Sequence, residues 1–194
     1  RQWLPPVQLP VVTGPITAFH VDESWIYVAA GNAVHRYDHS GEARTHLLTA
    51  ERPIEWLSST DNLLFVQIDA IRSTTFLSLN AHTGALLDRL ELGNDRVGGS
   101  EIVPAVGRIF GRTQSSYPSD VFYASFNQAG HFTGTGDSPY HGDYPFANQI
   151  WSFPDGQRIV DYSGTVYASL PIRKRPDLDG QRIVDDSGTV YDSL

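Results

Sequence analysis

The last 40 residues of the chain contain nearly the same segment twice. Asp155–Leu170 reads DGQRIVDYSGTVYASL and Asp179–Leu194 reads DGQRIVDDSGTVYDSL, so 14 of 16 positions match at an offset of 24. Internal repetition indicates a fold in which one small supersecondary unit is stacked several times. The repeat therefore constrains the architecture more than any other feature of this sequence.

Short β-branched and aromatic runs make up most of the remaining chain, and helical periodicity is nearly absent. Runs of this kind, bounded by Gly, Asn, Asp, Ser and Pro, predict strands joined by tight turns. The predicted strands fall into three blocks of four and one incomplete block: Ile16–Val21, Trp25–Ala29, Ala33–Tyr37 and Thr45–Leu48; Ile54–Leu57, Leu63–Ile68, Thr75–Leu79 and Leu86–Leu92; Ile102–Val106, Arg108–Arg112, Val121–Phe126 and His131–Thr133; then Gln149–Ser152, Arg158–Asp161 and Thr165–Ser169.

The turn between the third and fourth strands has the same layout in three blocks. An apolar residue ends the strand, Asp or Asn caps the turn, and a glycine supplies the positive φ that closes it. These glycines are Gly41, Gly84 and Gly130, so the intervals are 43 and 46 residues. A four-stranded blade of a β-propeller has about 40–50 residues. We therefore predict an all-β propeller of four-stranded antiparallel blades, about four of them recognisable, which form a ring or part of a larger ring.

The predicted domain organisation is an entry segment at 1–12 and a single propeller domain at 13–194. Its blades are expected at about 13–50, 51–93, 98–136 and 144–170, with a partial repeat at 176–194.

The second copy of the repeated segment follows after 24 residues, although a whole blade would need about 45. It is a half-blade that pairs with the N-terminal segment, a recent duplication of one hairpin, or the sign of a segment omitted from a larger ring. The chain opens on Arg1 and has no Met, so we expect a processed or excised segment.

Two motifs resemble those of bacterial propellers. Asn80–Gly84 (NAHTG) resembles the D-A-x-T-G hairpin of pyrroloquinoline-quinone-type repeats. Ser152–Val160 (SFPDGQRIV) resembles the S-P-D-G-x-x-I/L stretch of TolB-like propellers, with Phe153 inserted. The resemblance implies the blade architecture and no particular activity.

The same resemblance bears on cofactors. Quinone-type repeats carry a docking Trp four residues beyond the hairpin glycine, and this chain has Thr45, Asp88 and Gly134 there. We therefore expect no quinone. The sequence has no phosphate-binding loop and no dinucleotide-binding glycine pattern, so we predict no cofactor.

Charge and cysteine content exclude several functions. The net charge is −8 and the pI is about 5.2, whereas a nucleic-acid binder needs a basic surface. The basic cluster Arg173–Arg175 is flanked by prolines and is expected to be a solvated linker. The absence of cysteine excludes disulfides, thiolate metal sites and cysteine nucleophiles. No apolar run is long enough for a membrane-spanning helix. The lack of cysteine fits an exported protein, and we expect a secreted or periplasmic protein of bacterial origin.

Two long irregular stretches are the predicted binding loops. Gly111–Asp120 and Gly134–Asn148 combine Tyr, Ser, Asp and Gly, a mixture that suits ligand contact, and loops on rigid scaffolds often carry function. The alternative is that these loops only cover the ends of blades. The predicted binding residues are Tyr117, Tyr140, His141, Asp143 and Tyr144.

Metal and catalytic motifs are weak. Asp137, His141 and Asp143 could offer mixed ligands, but three of them in one loop is a poor pattern. Asp177–Gly180 begins like a calcium loop and lacks its distal glutamate. No paired-histidine motif, nucleophile elbow or phosphate-binding loop is present. We therefore predict no metal site and assign no catalytic residue.

Two structural expectations concern carboxylates and tryptophans. Asp161, Asp185 and Asp186 are expected to face solvent, as charges that discourage pairing at strand edges. The residues expected to fill space between blades are Trp25, Trp56 and Trp151.

The leading functional hypothesis is a non-enzymatic binding or scaffold protein that presents loops to a protein or glycan partner. One alternative is a hydrolase or lyase that acts on an extracellular polymer at the mouth of the central channel. Another is a structural subunit that assembles through open blades. The fold alone does not decide among them.

Overall fold

The computed structural model describes residue 9, residues 14–114, 119–138 and 147–170, and the strands at 172–174, 182–184 and 190–192. The protein is all-β, with four antiparallel four-stranded sheets in which the strands follow chain order. The predicted fold class, all-β with four-stranded antiparallel sheets, is confirmed.

Each sheet is a meander of consecutive strands. Sheet 1 consists of β1 (Ile16–Val21), β2 (Ile26–Ala30), β3 (Ala33–Tyr37) and β4 (Arg44–Thr49). Sheet 2 consists of β5 (Ile54–Thr60), β6 (Leu63–Ala70), β7 (Ser73–Asn80) and β8 (Leu86–Leu92). Sheet 3 consists of β9 (Val97–Val103), β10 (Arg108–Thr113), β11 (Val121–Phe126) and β12 (Phe132–Asp137). Sheet 4 consists of β13 (Ile150–Ser152), β14 (Arg158–Asp161), β15 (Val166–Ser169) and β16 (Ile172–Lys174), and a separate hairpin follows with β17 (Arg182–Val184) and β18 (Val190–Asp192).

The chain divides into two compact units. The first comprises Arg1–Ala70 and Thr75–Glu91, and the second comprises Ile71–Thr74 and Leu92–Leu194. The first unit holds sheet 1 and most of sheet 2, and the second holds sheets 3 and 4 and the hairpin. The predicted single domain at 13–194 stays a prediction.

The core of the first unit is built from strands that are apolar on both faces. Val34, Leu64 and Leu79 are among its fully buried side chains. Burying a side chain of this size stabilises the fold by roughly 1.5–3 kcal/mol. Gly84 closes the β7–β8 turn with φ +75, and a Cβ at this position would overlap the backbone of Leu47. The glycine predicted from turn chemistry therefore also permits close packing of the turn against β4.

The structure corrects one strand of sheet 3. The predicted strand Ile102–Val106 is wrong beyond Val103, because Pro104–Val106 forms a short 3₁₀ turn. Pro104 has no N–H for a ladder hydrogen bond and a fixed φ. Gly107 ends the turn with a left-handed φ of +60, and its N–H donates to the Pro104 carbonyl at 3.0 Å. The strand instead begins earlier, at Val97.

The basic cluster is also corrected. Ile172–Lys174 is the fourth strand of sheet 4 and pairs with β15, so this part of the predicted linker belongs to a sheet. One strand therefore separates the two copies of the repeated segment. The register of the second copy repeats that of the first, since Ile159 pairs with Tyr167 and Ile183 pairs with Tyr191. The repetition in the sequence is thus a repetition of one hairpin.

Asp161 does not face solvent, contrary to the expectation. Its side chain has no exposed surface, and Oδ2 lies 3.5 Å from Nη1 of Arg112, which is also fully buried. Tyr167 donates its hydroxyl proton to the same carboxylate oxygen at 2.7 Å, and the Ser163 hydroxyl donates to Oδ1. A buried charge needs a partner of opposite charge and hydrogen bonds, and this network supplies both. The contact of Asp161 with Arg112 therefore stabilises the packing of sheet 4 against sheet 3.

Candidate functional site

The five binding residues predicted from the sequence lie outside the described residues. They are Tyr117, Tyr140, His141, Asp143 and Tyr144. Their role in binding stays a prediction. The candidate site is therefore built from the clefts that the described residues form.

A cleft of about 380 Å³ lies in the first unit, where three turns meet. The β1–β2 turn contributes Asp22–Trp25, the β5–β6 turn contributes Asp61 and Asn62, and the β7–β8 turn contributes Ala81 and His82. We call it the acidic cleft, because Asp22, Glu23 and Asp61 line it and no lysine or arginine does. In an antiparallel meander these turns lie at the same end of their strands. The topology therefore brings them together.

Asp22 holds the floor of the acidic cleft in place. Its Oδ1 accepts hydrogen bonds from the backbone N–H groups of Ser24 at 2.8 Å and Trp25 at 2.7 Å. Its Oδ2 accepts the Ser59 hydroxyl proton at 2.6 Å, which ties sheet 1 to sheet 2. Partial burial raises the pKa of Asp22, but these three hydrogen bonds and nearby His20 outweigh burial and lower it. Asp22 is therefore a fixed negative charge.

Tyr27 lies beneath Asp22 and is buried. Burial, together with the negative charge of Asp22, raises the pKa of Tyr27 to about 12. The phenol therefore stays protonated at neutral pH, and it adds no further negative charge to the cleft.

Trp25 forms the aromatic part of the acidic cleft and is half-buried. The guanidinium of Arg36 lies 4.1 Å from the centroid of its ring, a distance suited to a cation–π contact. Arg36 Nη1 also donates to the carbonyl oxygens of Ala81 at 2.8 Å and His82 at 2.9 Å. Arg36 thus joins β3 to the β7–β8 turn and supports the indole from below. A rigid indole of this kind suits ligand contact.

Glu23 and Asp61 supply the accessible charge. Both are exposed, and within the described part of the chain neither forms an ion pair or a side-chain hydrogen bond. Asp61 adopts φ +50 in a two-residue turn, a conformation that Asp and Asn tolerate better than most residues. These two carboxylates are therefore available to a ligand.

A separate carboxyl group in the second unit has a perturbed pKa. Glu101 on β9 accepts the Ser152 hydroxyl proton at 2.6 Å and the Ser152 N–H at 3.3 Å, both at Oε1. Burial raises the pKa of Glu101, and the two hydrogen bonds only partly oppose this. Groups with a perturbed pKa often mark catalytic sites.

The described residues contain no group of three or more His, Asp and Glu side chains arranged to hold a metal ion.

The raised pKa of Glu101 gives a testable pH dependence. The folded state retains the proton of Glu101 above pH 4.5, the ordinary pKa of this carboxyl, so the associated stability is lost as pH rises through the folded pKa. Glu101→Gln keeps the oxygen that accepts from Ser152 and cannot ionise. We expect the fall in unfolding free energy between about pH 4.5 and neutrality to become shallower in this variant. Urea unfolding over this range measures the slope, exposed Glu91→Gln is the control, and an unchanged slope in Glu101→Gln contradicts the assignment.

No family model matches the chain, and no curated protein does. Solved structures share its fold. The computationally designed Ika4 protein has a TM-score of 0.62 at 13% identity, over 85% of this chain and 96% of that one. The computationally designed Ika8 protein has a TM-score of 0.60 at 13% identity, over 82% of this chain and 47% of that one. A chain of the Mitotic Checkpoint Complex has a TM-score of 0.57 at 18% identity, over 86% of this chain and 50% of that one.

At these identities the likeness concerns the fold alone, and this chain spans about half the length of the Ika8 and checkpoint-complex chains. Together with the four sheets, the likenesses fit a propeller-like all-β protein. Within the described residues, no helix has the length and apolar character needed to cross a membrane.

Proposed function

We propose that the protein is a non-enzymatic binding protein, and that its acidic cleft binds a basic segment of a partner protein. The observation that carries this proposal is the pair of accessible carboxylates, Glu23 and Asp61, beside the fixed charge of Asp22 and the ring of Trp25. A lysine or arginine side chain has a long apolar stem and a charged head. The stem fits against an indole, and the head pairs with carboxylates.

Two further assignments belong to this proposal. A secreted or periplasmic location suits a cysteine-free acidic binding protein, and the two motifs at Asn80–Gly84 and Ser152–Val160 support a place among quinone-type or TolB-like propellers. Under this proposal the protein uses the architecture of such propellers and no cofactor.

The proposal is tested by titrating the whole chain with a short oligolysine peptide in a calorimeter. The variant Glu23→Gln/Asp61→Asn removes two charges and keeps the positive φ at position 61, since Asn tolerates it well. We expect this variant to bind about tenfold more weakly, because each partly desolvated charge pair contributes of order 1 kcal/mol. Binding to the parent protein should also weaken as salt is added.

Two controls separate the cleft from general surface charge. Glu91→Gln removes one exposed carboxylate of β8, outside the cleft, and should leave the affinity unchanged. A glutamine peptide of the same length should not bind. Equal affinity of the parent and the double variant for oligolysine would contradict the proposal.

A further inference from the structure

The second unit contains a cleft of opposite charge. It measures about 500 Å³ and is lined by Ile71, Arg72, Asn94, Arg96 and Gln114. We call it the basic cleft, because it carries two guanidinium groups and no carboxylate among these residues. The chain as a whole has a net charge of −8. The positive charge of this cleft therefore differs from that of the molecule as a whole and indicates a site for an anionic ligand.

Two hydrogen bonds, one within the backbone and one to a side chain, hold the walls of the basic cleft together. The N–H of Gln114 donates to the carbonyl of Arg96 at 2.7 Å, which extends the pairing of Thr113 with Val97 by one residue. The N–H of Val97 donates to the Thr74 hydroxyl at 2.9 Å, and Thr74 follows the β6–β7 turn that carries Arg72. The two arginines and Gln114 therefore lie on segments that are fixed to one another.

Gly98 makes room for the amide of Gln114. Gly98 lies opposite Arg112 in the β9–β10 ladder, and a Cβ at position 98 would overlap the side-chain amide of Gln114. A side chain at position 98 would therefore push this amide out of its place on the cleft wall. The glycine thus positions a polar group of the cleft.

Arg72 is the accessible charge of the basic cleft. Its side chain is exposed, and within the described residues it forms no hydrogen bond or salt bridge. A guanidinium presents a planar fork that matches a carboxylate in a two-bond contact. Arg72 therefore offers an unused binding group for an oxyanion.

The remaining groups favour a sugar acid over a simple anion. The amides of Asn94 and Gln114 each combine donors and an acceptor, which suits hydroxyl groups that do the same. Ile71 is 91% exposed at the rim and offers an apolar contact for the face of a sugar ring. The volume lies within the ordinary range for small-ligand sites. Gln114 also belongs to Gly111–Asp120, one of the two binding loops predicted from the sequence.

We propose that the basic cleft binds the carboxylate groups of an acidic glycan, one built from uronic acid units. This site is separate from the acidic cleft in residues, unit and charge, so each proposal stands or falls alone. The carboxylate pairs with Arg72 and Arg96, and the ring hydroxyls contact the amides of Asn94 and Gln114.

The test is calorimetric titration of the whole chain with a short oligogalacturonate and with a neutral galactose oligomer of the same length. We expect the oligogalacturonate to bind at least about tenfold more tightly, since hydrogen bonds between a guanidinium and a carboxylate are stronger than those between neutral groups. Arg72→Gln should reduce that affinity about tenfold without affecting folding, because Arg72 is exposed and forms no hydrogen bond or salt bridge with another described residue. Gly98→Ala should also reduce it, and a circular dichroism melt of this variant shows whether the fold is retained.

Arg52→Gln is the matched control, because Arg52 is an exposed arginine outside the cleft and its replacement should change nothing. The proposal is overturned if the oligogalacturonate binds no better than the neutral oligomer, if Arg72→Gln binds it as well as the parent, or if an oligoglutamate peptide binds equally tightly. Binding of oligolysine by Arg72→Gln should match that of the parent, and this arm keeps the two proposals distinguishable.

Discussion

Replacing Asp161 with alanine is expected to destabilise the second unit by about 3–5 kcal/mol, since it removes a carboxylate that is paired with a fully buried arginine. Arg112 and Asp161 both have no exposed side-chain surface. The substitution also removes an oxygen that accepts the proton of the Tyr167 hydroxyl, and Tyr167 is buried as well. A loss of this size is a large part of the total stability of a typical domain.

Two further variants identify the cause of this loss. Asp161→Asn keeps only one side-chain oxygen, so it can accept from Ser163 or from Tyr167 but not from both. It also has no charge, and we therefore expect it to be nearly as destabilising as alanine. Adding Arg112→Met to Asp161→Asn removes the buried positive charge and should recover part of the loss. Exposed Glu91→Ala should change the unfolding free energy by less than about 0.5 kcal/mol. Urea denaturation measures all four, and a cost for Asp161→Ala no larger than that of Glu91→Ala would contradict the assigned network.

Replacing Gly99 with alanine is expected to destabilise the protein by about 2–4 kcal/mol. Gly99 lies on β9 with φ +59, and a non-glycine residue in this conformation costs roughly 1 kcal/mol or more. A Cβ there would also overlap the carbonyl oxygen of Asn148 and the Cα of Gln149. Backbone atoms move less readily than a side chain, so an overpacking cost of about 1–3 kcal/mol adds to the conformational one.

Gly31 is a matched control for Gly99. It has the same φ of +59, and no atom lies within 4 Å of the position that a Cβ would take. Gly31→Ala should therefore show the conformational cost alone, of about 1 kcal/mol. Thermal melts of the two variants compare the costs directly, and equal destabilisation would show that the segment at Asn148 does not pack against β9 as described.

The fold could be predicted from turn chemistry because each turn depends on a local property of one residue. Gly41, Gly84 and Gly130 have φ values of +77, +75 and +84, as the layout of their turns requires. Their spacing then indicates four-stranded units, and the four sheets agree. The prediction failed locally at Pro104. Ile102, Val103 and Val106 all favour a strand, so the pattern of β-forming residues did not show that the proline ends it.

The environment of Asp161 could not be predicted because it depends on a residue 49 positions away in the sequence, Arg112. A carboxylate at the end of a strand looks like an edge charge when only its neighbours are known. The hairpin repeat held one clue: Asp161, Ser163 and Tyr167 recur as Asp185, Ser187 and Tyr191. Residues that recur at matching positions of a hairpin indicate a shared structural role.

The acidic cleft was missed for a related reason. Long irregular loops are the usual signal of a binding site in a sequence, whereas this cleft is formed by short turns whose residues are up to 60 positions apart, from Asp22 to His82. The sequence did contain one signal for this cleft. The turn at Asp22–Trp25 carries two carboxylates and a tryptophan, and closing a hairpin does not require these side chains. The binding role of the long loops stays a prediction: Gly111–Thr113 belong to β10, and Gln114, which follows them, lines the basic cleft.

The central claim is that the acidic cleft of the first unit is where a basic partner binds. It is tested most directly by nuclear magnetic resonance of isotope-labelled whole protein, titrated with oligolysine. Four tryptophans give four indole signals, and Trp25→Phe assigns the one that reports on the cleft. The expected result is a saturable shift of the Trp25 indole and of the Asp61 and Asn62 amides, which is lost in Glu23→Gln/Asp61→Asn. Saturable shifts confined to other residues, with the Trp25 indole unmoved, would contradict the claim.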